Sequence, residues 1–551
     1  MIYYIAEDQS VPLWWTNNMT STVTQGSPPD TGDRQNESKP ISDSQIKSAP
    51  VHDDVELDVK AGDVKDLDQA EVFLHEHGFS HSYLQSLLQD EQAQKKICRR
   101  VDWILMPLLC GTYMLQYIDK QTLSYSAVFD LFESTGTTSN QYSWLASIFY
   151  FGYLFFEWPA SYLAQHFPTG RVVSIFVITW GCLLMVTAAC QNFAGLAVCR
   201  FFLGCCEALV TPTFMLLVGQ FYIRKEQPAR AGAFYCFNGV GSSVGGILFY
   251  AVGQGDGFTV WRSIFILCGG VTVLWGVVLL WFLPNNIMTA KRFTSEEKAL
   301  LIARTQQNQT GVYSQTIKIS QIKEALLDPQ CWILFFFTLL NETVNGGVAN
   351  FGKLIVKGLS GGDALLTTAY GIPQGAWQVF FVFTGPYIAS RFKNIRTIIM
   401  IIYIFPTIIG FSLFWNLDHE KHPKGLLVCY YIVGSYVASL VLALQLPATN
   451  VGGYTKRVTA TAFVFLGYCA GNIIGPHAWL ASEAPVYQTG CKVCLACACG
   501  QIGLCVALRT MLIYRNKKRD HQQMQEVPLD GVDEAIEDRT DFENPAFRYS
   551  Y

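Results

Sequence analysis

The chain has 551 residues, of which 50% are hydrophobic and 15% are charged, whereas soluble domains carry about 25% charged residues. This composition excludes a disordered protein, a collagen-like protein and a small disulfide scaffold. The 39 basic and 43 acidic residues leave a net charge of -4, which excludes a polybasic protein that binds nucleic acid by electrostatics alone.

From residue 102 onward, long apolar runs alternate with short polar gaps. Twelve of these runs reach the roughly 20 residues that a helix needs to cross a bilayer. Their approximate limits are 102–125, 143–165, 171–190, 194–219, 231–254, 262–283, 330–354, 366–390, 396–415, 425–447, 459–481 and 491–514. The sequence therefore predicts an all-α membrane protein with twelve transmembrane helices in two six-helix halves.

The polar gaps alternate in charge along the chain. Every second gap is rich in Lys and Arg, as in 224–230 and 391–396, and the gaps between them carry mostly acidic residues. Because basic loops stay on the cytoplasmic side, both termini and the central connector are predicted to be cytoplasmic. The predicted parts are a polar, largely disordered tail (1–98), a first half (99–283), a connector (284–329), a second half (330–514) and a second tail (515–551).

Ionisable side chains occur inside several predicted spans. Each costs about 2.5–3.5 kcal/mol on insertion scales, so each needs a functional or structural reason. Asp119 and Lys120 are adjacent in the first span and therefore point in different directions on a helix. Either they face a central cavity and contact substrate or proton, or they form a water-solvated pair at the rim.

Arg200 and Glu207 are seven residues apart in the fourth span, which places them on one helix face. The planar guanidinium of Arg200 suits a carboxylate ligand, but it could instead form a structural ion pair with Glu157 or another span. Glu207 is a candidate for proton coupling, because a carboxyl group in the membrane is protonated more easily than one in water.

Two further segments contain polar groups inside spans. Asn341, Glu342 and Asn345 precede a pair of glycines in the seventh span, and this pattern predicts a broken or flexible helix that lines a cavity. We assign Asn341 and Asn345 to substrate binding and Glu342 to proton coupling. Glu157 precedes Trp158-Pro159 in the second span, where it serves either proton coupling or the helix structure.

Cysteine spacing near the end of the chain imitates a metal site. Cys491, Cys494 and Cys497 follow a spacing of three, but the run is apolar and the spacing places them on one helix face. We interpret them as small packing residues, and we expect neither a metal nor a cofactor. His477 is interpreted as a packed, hydrogen-bonded histidine.

Corresponding segments of the two predicted halves are similar to each other. The gaps after spans two and eight carry Gln165-His166 and Ser390-Arg391 at corresponding positions, and with its two six-helix halves the chain resembles the transporters of the Major Facilitator Superfamily. Four motifs carry a closer resemblance: Tyr117-Ile-Asp-Lys-Gln-Thr-Leu-Ser-Tyr125, Tyr153-Leu-Phe-Phe-Glu-Trp-Pro159, Arg200-Phe-Phe-Leu-Gly-Cys-Cys-Glu207 and Gly467-Tyr-Cys-Ala-Gly-Asn-Ile-Ile-Gly-Pro476. By these motifs the chain resembles the fungal anion:cation symporter family, in its allantoate permease-like branch.

This resemblance implies a multi-pass membrane protein, located in the plasma membrane, that takes up a small organic anion of the allantoate, ureidosuccinate or vitamin-like carboxylate class together with protons. Its partners would then be the anion, protons and the lipid bilayer, with no nucleic acid. One alternative is a major facilitator exporter of a secondary metabolite. Another is a nutrient sensor that does not transport. No motif combines nucleophile, base and oxyanion geometry, so we do not expect an enzyme.

Overall fold

The computed structural model describes residues 73–74, 77–79, 81–223, 226–255, 259–306, 318–419, 421–484, 486–523, 540–545 and 547–551. Most of the predicted disordered tail therefore lies outside the described residues. The chain divides into a unit of 8–80 and a unit that contains 81–551. In the first unit, the backbone N–H of His77 donates to the carbonyl of Phe73 and closes a single turn.

Helices dominate the first half of the second unit. They are α1 (His81–Gln89), α2 (Glu91–Val128), α3 (Leu131–Thr135), α4 (Ser139–His166), α5 (Thr169–Thr187), α6 (Phe193–Glu207), α7 (Val210–Phe221), α8 (Gln227–Gly253) and α9 (Val260–Phe282). Asp90 caps α2 by accepting hydrogen bonds from the backbone N–H groups of Gln92 and Ala93. Each of the six spans predicted here coincides with a long helix or with two helices in succession.

The connector and the second half continue this pattern. They contain α10 (Ser295–Gln306), α11 (Ile319–Leu327), α12 (Pro329–Leu359), α13 (Ala364–Arg391), α14 (Arg396–Asn416), α15 (Pro423–Val433), α16 (Tyr436–Asn450), α17 (Tyr454–Ile474) and α18 (Gln488–Gln523). The last helix extends beyond its predicted end at residue 514. Short 3-10 turns, Gly475–Ala478 and Ala481–Glu483, lie between α17 and α18.

Among the described residues, nine helices are long and apolar enough to cross a membrane. Three other long helices, α2, α4 and α13, coincide with predicted spans but are less apolar. All three pack against helices of the opposite half: α4 packs against α17, α13 against α8, and α2 against α12. Their lower hydropathy therefore matches their position at the interface between the halves.

The fourth span of each half is interrupted at a similar point. In the first half, α6 ends at Glu207 and α7 begins at Val210, and Pro212 cannot supply the N–H that a continuous helix needs. In the second half, the break falls between Val433 and Tyr436, where the hydroxyl of Thr407 donates to the freed carbonyl of Val433 at 2.9 Å.

The predicted interruption of the seventh span is wrong. α12 is a continuous helix through Gly346 and Gly347. A Cβ on Gly346 would lie 3.0 Å from the Cα of Asn472, and one on Gly347 would lie 2.2 Å from Nε1 of Trp479. These glycines therefore permit close packing rather than bending.

The halves meet closely along α8 and α13. A Cβ on Gly375 of α13 would lie 2.4 Å from the backbone nitrogen of Ser243, and one on Gly239 of α8 would lie 2.9 Å from the backbone nitrogen of Val379. The two helices run antiparallel, and small residues let their backbones approach.

Polar contacts also join the halves where α2, α12 and α17 end; we call this the distal end, and the opposite end, where these three helices begin, the proximal end. The hydroxyl of Tyr142 donates to the carbonyl of Asn350 at 2.9 Å, and Lys357 Nζ donates to the carbonyl of Val128 at 2.6 Å. The hydroxyl of Ser147 donates to the carbonyl of Ile473 at 2.7 Å. The distal end is therefore closed.

The last residues of the chain pack against the proximal end of the second half. Asp541 and Tyr549 are buried, and the Tyr549 hydroxyl donates to Asp541 Oδ2 at 2.6 Å. Burial and the neighbouring carboxylate raise the pKa of Tyr549 above its ordinary value, so the phenol stays protonated and remains a donor at neutral pH. Ser550 exchanges hydrogen bonds with Asn450, at the end of α16.

Candidate functional site

Lys120 and Glu207 form an ion pair inside the first half. Lys120 Nζ on α2 lies 3.7 Å from Glu207 Oε2, the final residue of α6. The carboxylate is almost fully buried, whereas 27% of the lysine side chain remains exposed. The ammonium also lies over the rings of Phe149 and Tyr153 on α4, 5.6 and 6.0 Å from their centroids. Three helices thus hold one cation with donors left for another partner.

Asp119 points away from this pair, as adjacent positions on a helix require. Its side chain is buried, and the hydroxyl of Thr272 on α9 donates to its Oδ2 at 2.9 Å. The second oxygen, Oδ1, has no hydrogen-bond partner among the described residues. The Asp119 carboxylate therefore contacts α9 and does not share the partly exposed site of Lys120.

Arg200 is buried in the apolar part of α6. Its guanidinium carbon lies 5.7 Å from the centroid of the Phe265 ring, and only 5% of the residue is exposed. Within the described residues it forms no ion pair with Glu157 or another carboxylate within 4.0 Å, and its Nε and Nη2 have no hydrogen-bond partner. The structure thus gives Arg200 free donors, which buried groups seldom keep without a reason.

Glu342 lies at the centre of a polar cluster in the second half. Its Oε2 accepts hydrogen bonds from Asn345 at 2.9 Å and from Asn472 at 2.6 Å, and the Tyr436 hydroxyl donates to Asn345 at 2.9 Å. Glu342 is fully buried, and its Oε1 has no partner in the described part of the chain.

The remaining predicted residues are placed differently. Asn341 is buried and donates to Gln501 Oε1 at 3.0 Å and to the carbonyl of Tyr436 at 3.3 Å, so its amide joins helices of the second half and does not contact Glu342. Glu157 is half-buried on α4, one helical turn after Tyr153. The Lys120–Glu207 pair and the Asn345–Glu342 pair are therefore the two groups that the structure brings together.

Sequence reasoning missed several polar residues at the interface. Lys353 on α12 is 3% exposed and donates to Gln374 Oε1 of α13 at 2.6 Å. The Tyr117 hydroxyl donates to Gln378 across the two halves at 3.1 Å. Lys353 lies at the end of an apolar run, and a lysine in a membrane span costs as much free energy as a carboxylate. Its charge could therefore have marked it as a candidate site residue. The tyrosine and glutamine residues gave no such signal.

Histidine and cysteine residues occupy packing positions. His477 Nε2 lies 3.1 Å from the Ser147 hydroxyl, and its ring meets Trp144 edge-on, so the prediction of a packed, hydrogen-bonded histidine is confirmed. Cys491, Cys494 and Cys497 are buried, whereas Cys499 is exposed. A search of the described residues finds no group of three His, Cys, Asp or Glu side chains that could hold a metal ion.

Comparison with known proteins places this arrangement in a family. Residues 109–476 match the Major Facilitator Superfamily. An uncharacterized transporter of Schizosaccharomyces pombe is 33% identical over 92% of this chain and 97% of its own. Allantoate permease of Saccharomyces cerevisiae is 29% identical over 83% of this chain and 87% of its own.

Solved structures agree on the fold. The nucleoside transporter NupG shares 13% identity and a TM-score of 0.53, over 74% of this chain and 98% of that one. At this identity the likeness concerns the fold alone. The predicted fold class is confirmed, and the chain belongs to the Major Facilitator Superfamily, in a fungal branch that includes allantoate permease.

Proposed function

We propose that this transporter takes up a small organic anion together with protons by alternating access. The observation that carries the proposal is the pair of Lys120 and Glu207, in which a partly exposed cation is held by a buried carboxylate. A substrate carboxylate competes with Glu207 for the charge of the ammonium group.

Protonation of Glu207 frees the ammonium group of Lys120 for the substrate. At about 4 Å, two opposite charges attract each other by about 4 kcal/mol at an effective dielectric constant of about 20. A proton on Glu207 removes that attraction and leaves the ammonium free for the substrate. Binding of proton and anion is therefore cooperative, and release of the proton restores the ion pair and expels the anion.

Glu342 is proposed as a second proton-coupling residue. Its free Oε1 offers a position for a proton without loss of the hydrogen bonds that Asn345 and Asn472 donate to Oε2. Arg200 is proposed to bind the substrate when the halves rearrange, because its Nε and Nη2 have no hydrogen-bond partner among the described residues. Asp119 is proposed as a further proton-coupling residue, because its Oδ1 also has no hydrogen-bond partner among the described residues.

Alternating access would act through the contacts between the halves. With the distal end closed, substrate reaches Lys120 from the proximal end, and rocking of the halves opens the distal side. The alternating loop charges support a cytoplasmic proximal end with both termini inside the cell. This orientation, in the plasma membrane, makes proton-driven movement from the distal to the proximal end an uptake reaction.

The substrate class is inferred from chemistry and similarity together. Lys120 and Arg200 are cations that can pair with a carboxylate, and allantoate, which the name of the relative allantoate permease specifies, is a carboxylate. The test is uptake of labelled allantoate, ureidosuccinate and nicotinate, which we call the carboxylate panel, by cells that express this chain.

We expect uptake of at least one member to fall as external pH rises from about 5 to about 7.5, since proton binding to Glu207 precedes anion binding. A protonophore should abolish accumulation. Uptake that is unchanged by both external pH and the protonophore would exclude proton coupling. Accumulation of the substrate outside the cell instead of inside would favour an exporter.

A further inference from the structure

A second cationic pocket lies at the distal end, apart from the Lys120–Glu207 pair. Lys353 on α12 is enclosed by Gln374 of α13, Tyr430 of α15 and Tyr125 of α2. Lys353 follows Glu342 by eleven positions on the same continuous helix, which corresponds to about 16 Å along the axis. The pocket is therefore separate from the polar cluster around Glu342 and lies nearer to the distal end.

The pocket contains a buried cation without a counter-ion. Lys353 is 3% exposed, and within the described residues no carboxylate lies within the 4.0 Å of an ion pair. Its ammonium donates to Gln374 Oε1 at 2.6 Å and lies 4.9 and 5.6 Å from the ring centroids of Tyr125 and Tyr430. An ammonium group has three donors, so this environment compensates the charge only partly.

Two tyrosine hydroxyl groups also lie in the pocket. The Tyr430 hydroxyl donates to the same oxygen of Gln374 at 2.6 Å. Tyr125 is fully buried, and its hydroxyl has no hydrogen-bond partner in the described structure. Gly371 makes room for the cluster, because a Cβ there would lie 2.4 Å from the Tyr125 hydroxyl and 2.9 Å from Lys353 Nζ. The hydroxyl of Tyr125 and the ammonium of Lys353 thus converge beside Gly371.

The first half covers this pocket through Tyr125, whose ring lies over the ammonium of Lys353. Lys353, Gln374 and Tyr430 all belong to the second half, whereas Tyr125 lies on α2, one turn before Val128. Separation of the halves at the distal end removes the tyrosine ring and the Lys357–Val128 hydrogen bond together. The ammonium of Lys353 then faces the distal side with free donors.

We propose that Lys353, with Gln374 and Tyr430, is an entry site that binds the carboxylate of the incoming substrate when the distal end is open. The inference rests on the proposed function, because it takes the substrate to be an organic anion that enters from the distal end. Closure of Tyr125 over Lys353 removes the anion from this position, so that it continues toward Lys120.

Gln374→Glu is the sharpest test, because it supplies the missing counter-ion with almost no change in side-chain volume. If Lys353 only stabilises the fold, this substitution leaves transport unchanged. If Lys353 binds the substrate, the new carboxylate competes with it. We expect the half-saturation concentration for uptake of the carboxylate panel to rise about tenfold or more, the loss of one charge-assisted hydrogen bond.

Lys353→Gln is the second variant and should give a similar rise. Lys421→Gln is the matched control, because Lys421 carries the same charge at the same end but is exposed and paired with Asp418 at 3.0 Å. Surface abundance is measured for each variant. The maximal rate of uptake supplies the second readout, and we expect it to stay within about twofold of wild type, because the substitution weakens binding at the entry site and leaves the later steps at Lys120 unchanged.

Each outcome decides the inference. Unchanged half-saturation in Gln374→Glu at normal abundance overturns it, as does a fall in the maximal rate without a rise in half-saturation. An effect of the same size in Lys421→Gln also overturns it, because general surface charge would then suffice. Absence of uptake of the whole panel by the wild type overturns the proposed function and this inference together, whereas wild-type uptake with an unaffected variant overturns this inference alone.

Discussion

The ammonium nitrogen of Lys456 lies 2.6 Å from Oδ1 of Asp541, and both side chains are completely buried. This pair joins the first turn of α17 to the last residues of the chain. Glu324 of the connector and Asp328 lie 2.9 and 3.4 Å from the same nitrogen, so one lysine holds three acidic groups together. The C-terminal segment is thereby part of the folded second half.

Asp541→Ala should destabilise the protein strongly. The substitution removes the shortest ion pair of Lys456 and leaves the Tyr549 hydroxyl without its acceptor, and an unsatisfied buried hydroxyl alone costs about 1–3 kcal/mol. The measurement is thermal unfolding of the detergent-purified protein. Asp520→Ala is the control, since Asp520 pairs with Arg548 at an exposed position and surface pairs contribute about 0–1 kcal/mol. Equal stability of the two variants would show that the C-terminal segment does not support the fold.

Gly375→Ala should weaken the contact between the halves. The new Cβ would meet the backbone nitrogen and the hydroxyl of Ser243 at 2.4 and 2.3 Å, and a backbone atom cannot move aside as a flexible side chain can. Overpacking of this kind costs about 1–3 kcal/mol. Gly270→Ala, in open space on α9, should leave the unfolding temperature unchanged. An unaltered Gly375→Ala protein would contradict the close packing of α8 and α13.

Arg200→Lys should leave the protein folded and at the surface but raise the half-saturation concentration sharply. Lysine keeps the charge but loses the planar pair of donors that matches a carboxylate. Surface abundance and half-saturation are measured together. Arg262→Lys is the control, because Arg262 also packs on a ring, that of Trp261 at 5.2 Å, but at the end of α9. Normal affinity in Arg200→Lys would exclude Arg200 as a substrate ligand.

Replacement of Cys491, Cys494 and Cys497 together by Ala should leave transport largely intact. The three side chains are buried in α18 as small packing groups, and their loss removes little volume. Transport of the panel and elemental analysis of the purified wild type are the measurements. Stoichiometric zinc or iron in the wild type, or complete loss of transport in the triple variant, would contradict the packing role.

Much of the fold was predictable because membrane insertion imposes long apolar runs. The limits of the twelve spans follow from hydropathy, and charges such as Glu207 and Glu342 mark polar sites because their cost is high. The interruptions of the fourth span in each half were not predicted, although Pro212 and Gly434 were available as signals.

Other features could not be read from the sequence because they depend on tertiary contacts. The partner of Lys120 lies on another helix, and hydropathy contains no information about which acid a lysine meets. The packing of Asp541 and Tyr549 was missed because a short polar segment has no apolar periodicity. Asn341 and Asn345 lie on one helix within four residues, but only Asn345 contacts Glu342, because the facing helices differ.

Accumulation and exchange by Glu207→Gln provide the most direct test of proton coupling through the Lys120–Glu207 pair. Gln cannot release a proton, so Lys120 loses its competing anion in every state. We predict that this variant exchanges labelled for unlabelled substrate across the membrane but no longer accumulates it at acidic external pH. Glu133→Gln, an exposed acid on the short helix α3, should behave as wild type. Accumulation by Glu207→Gln at the wild-type level, still abolished by a protonophore, would contradict the account.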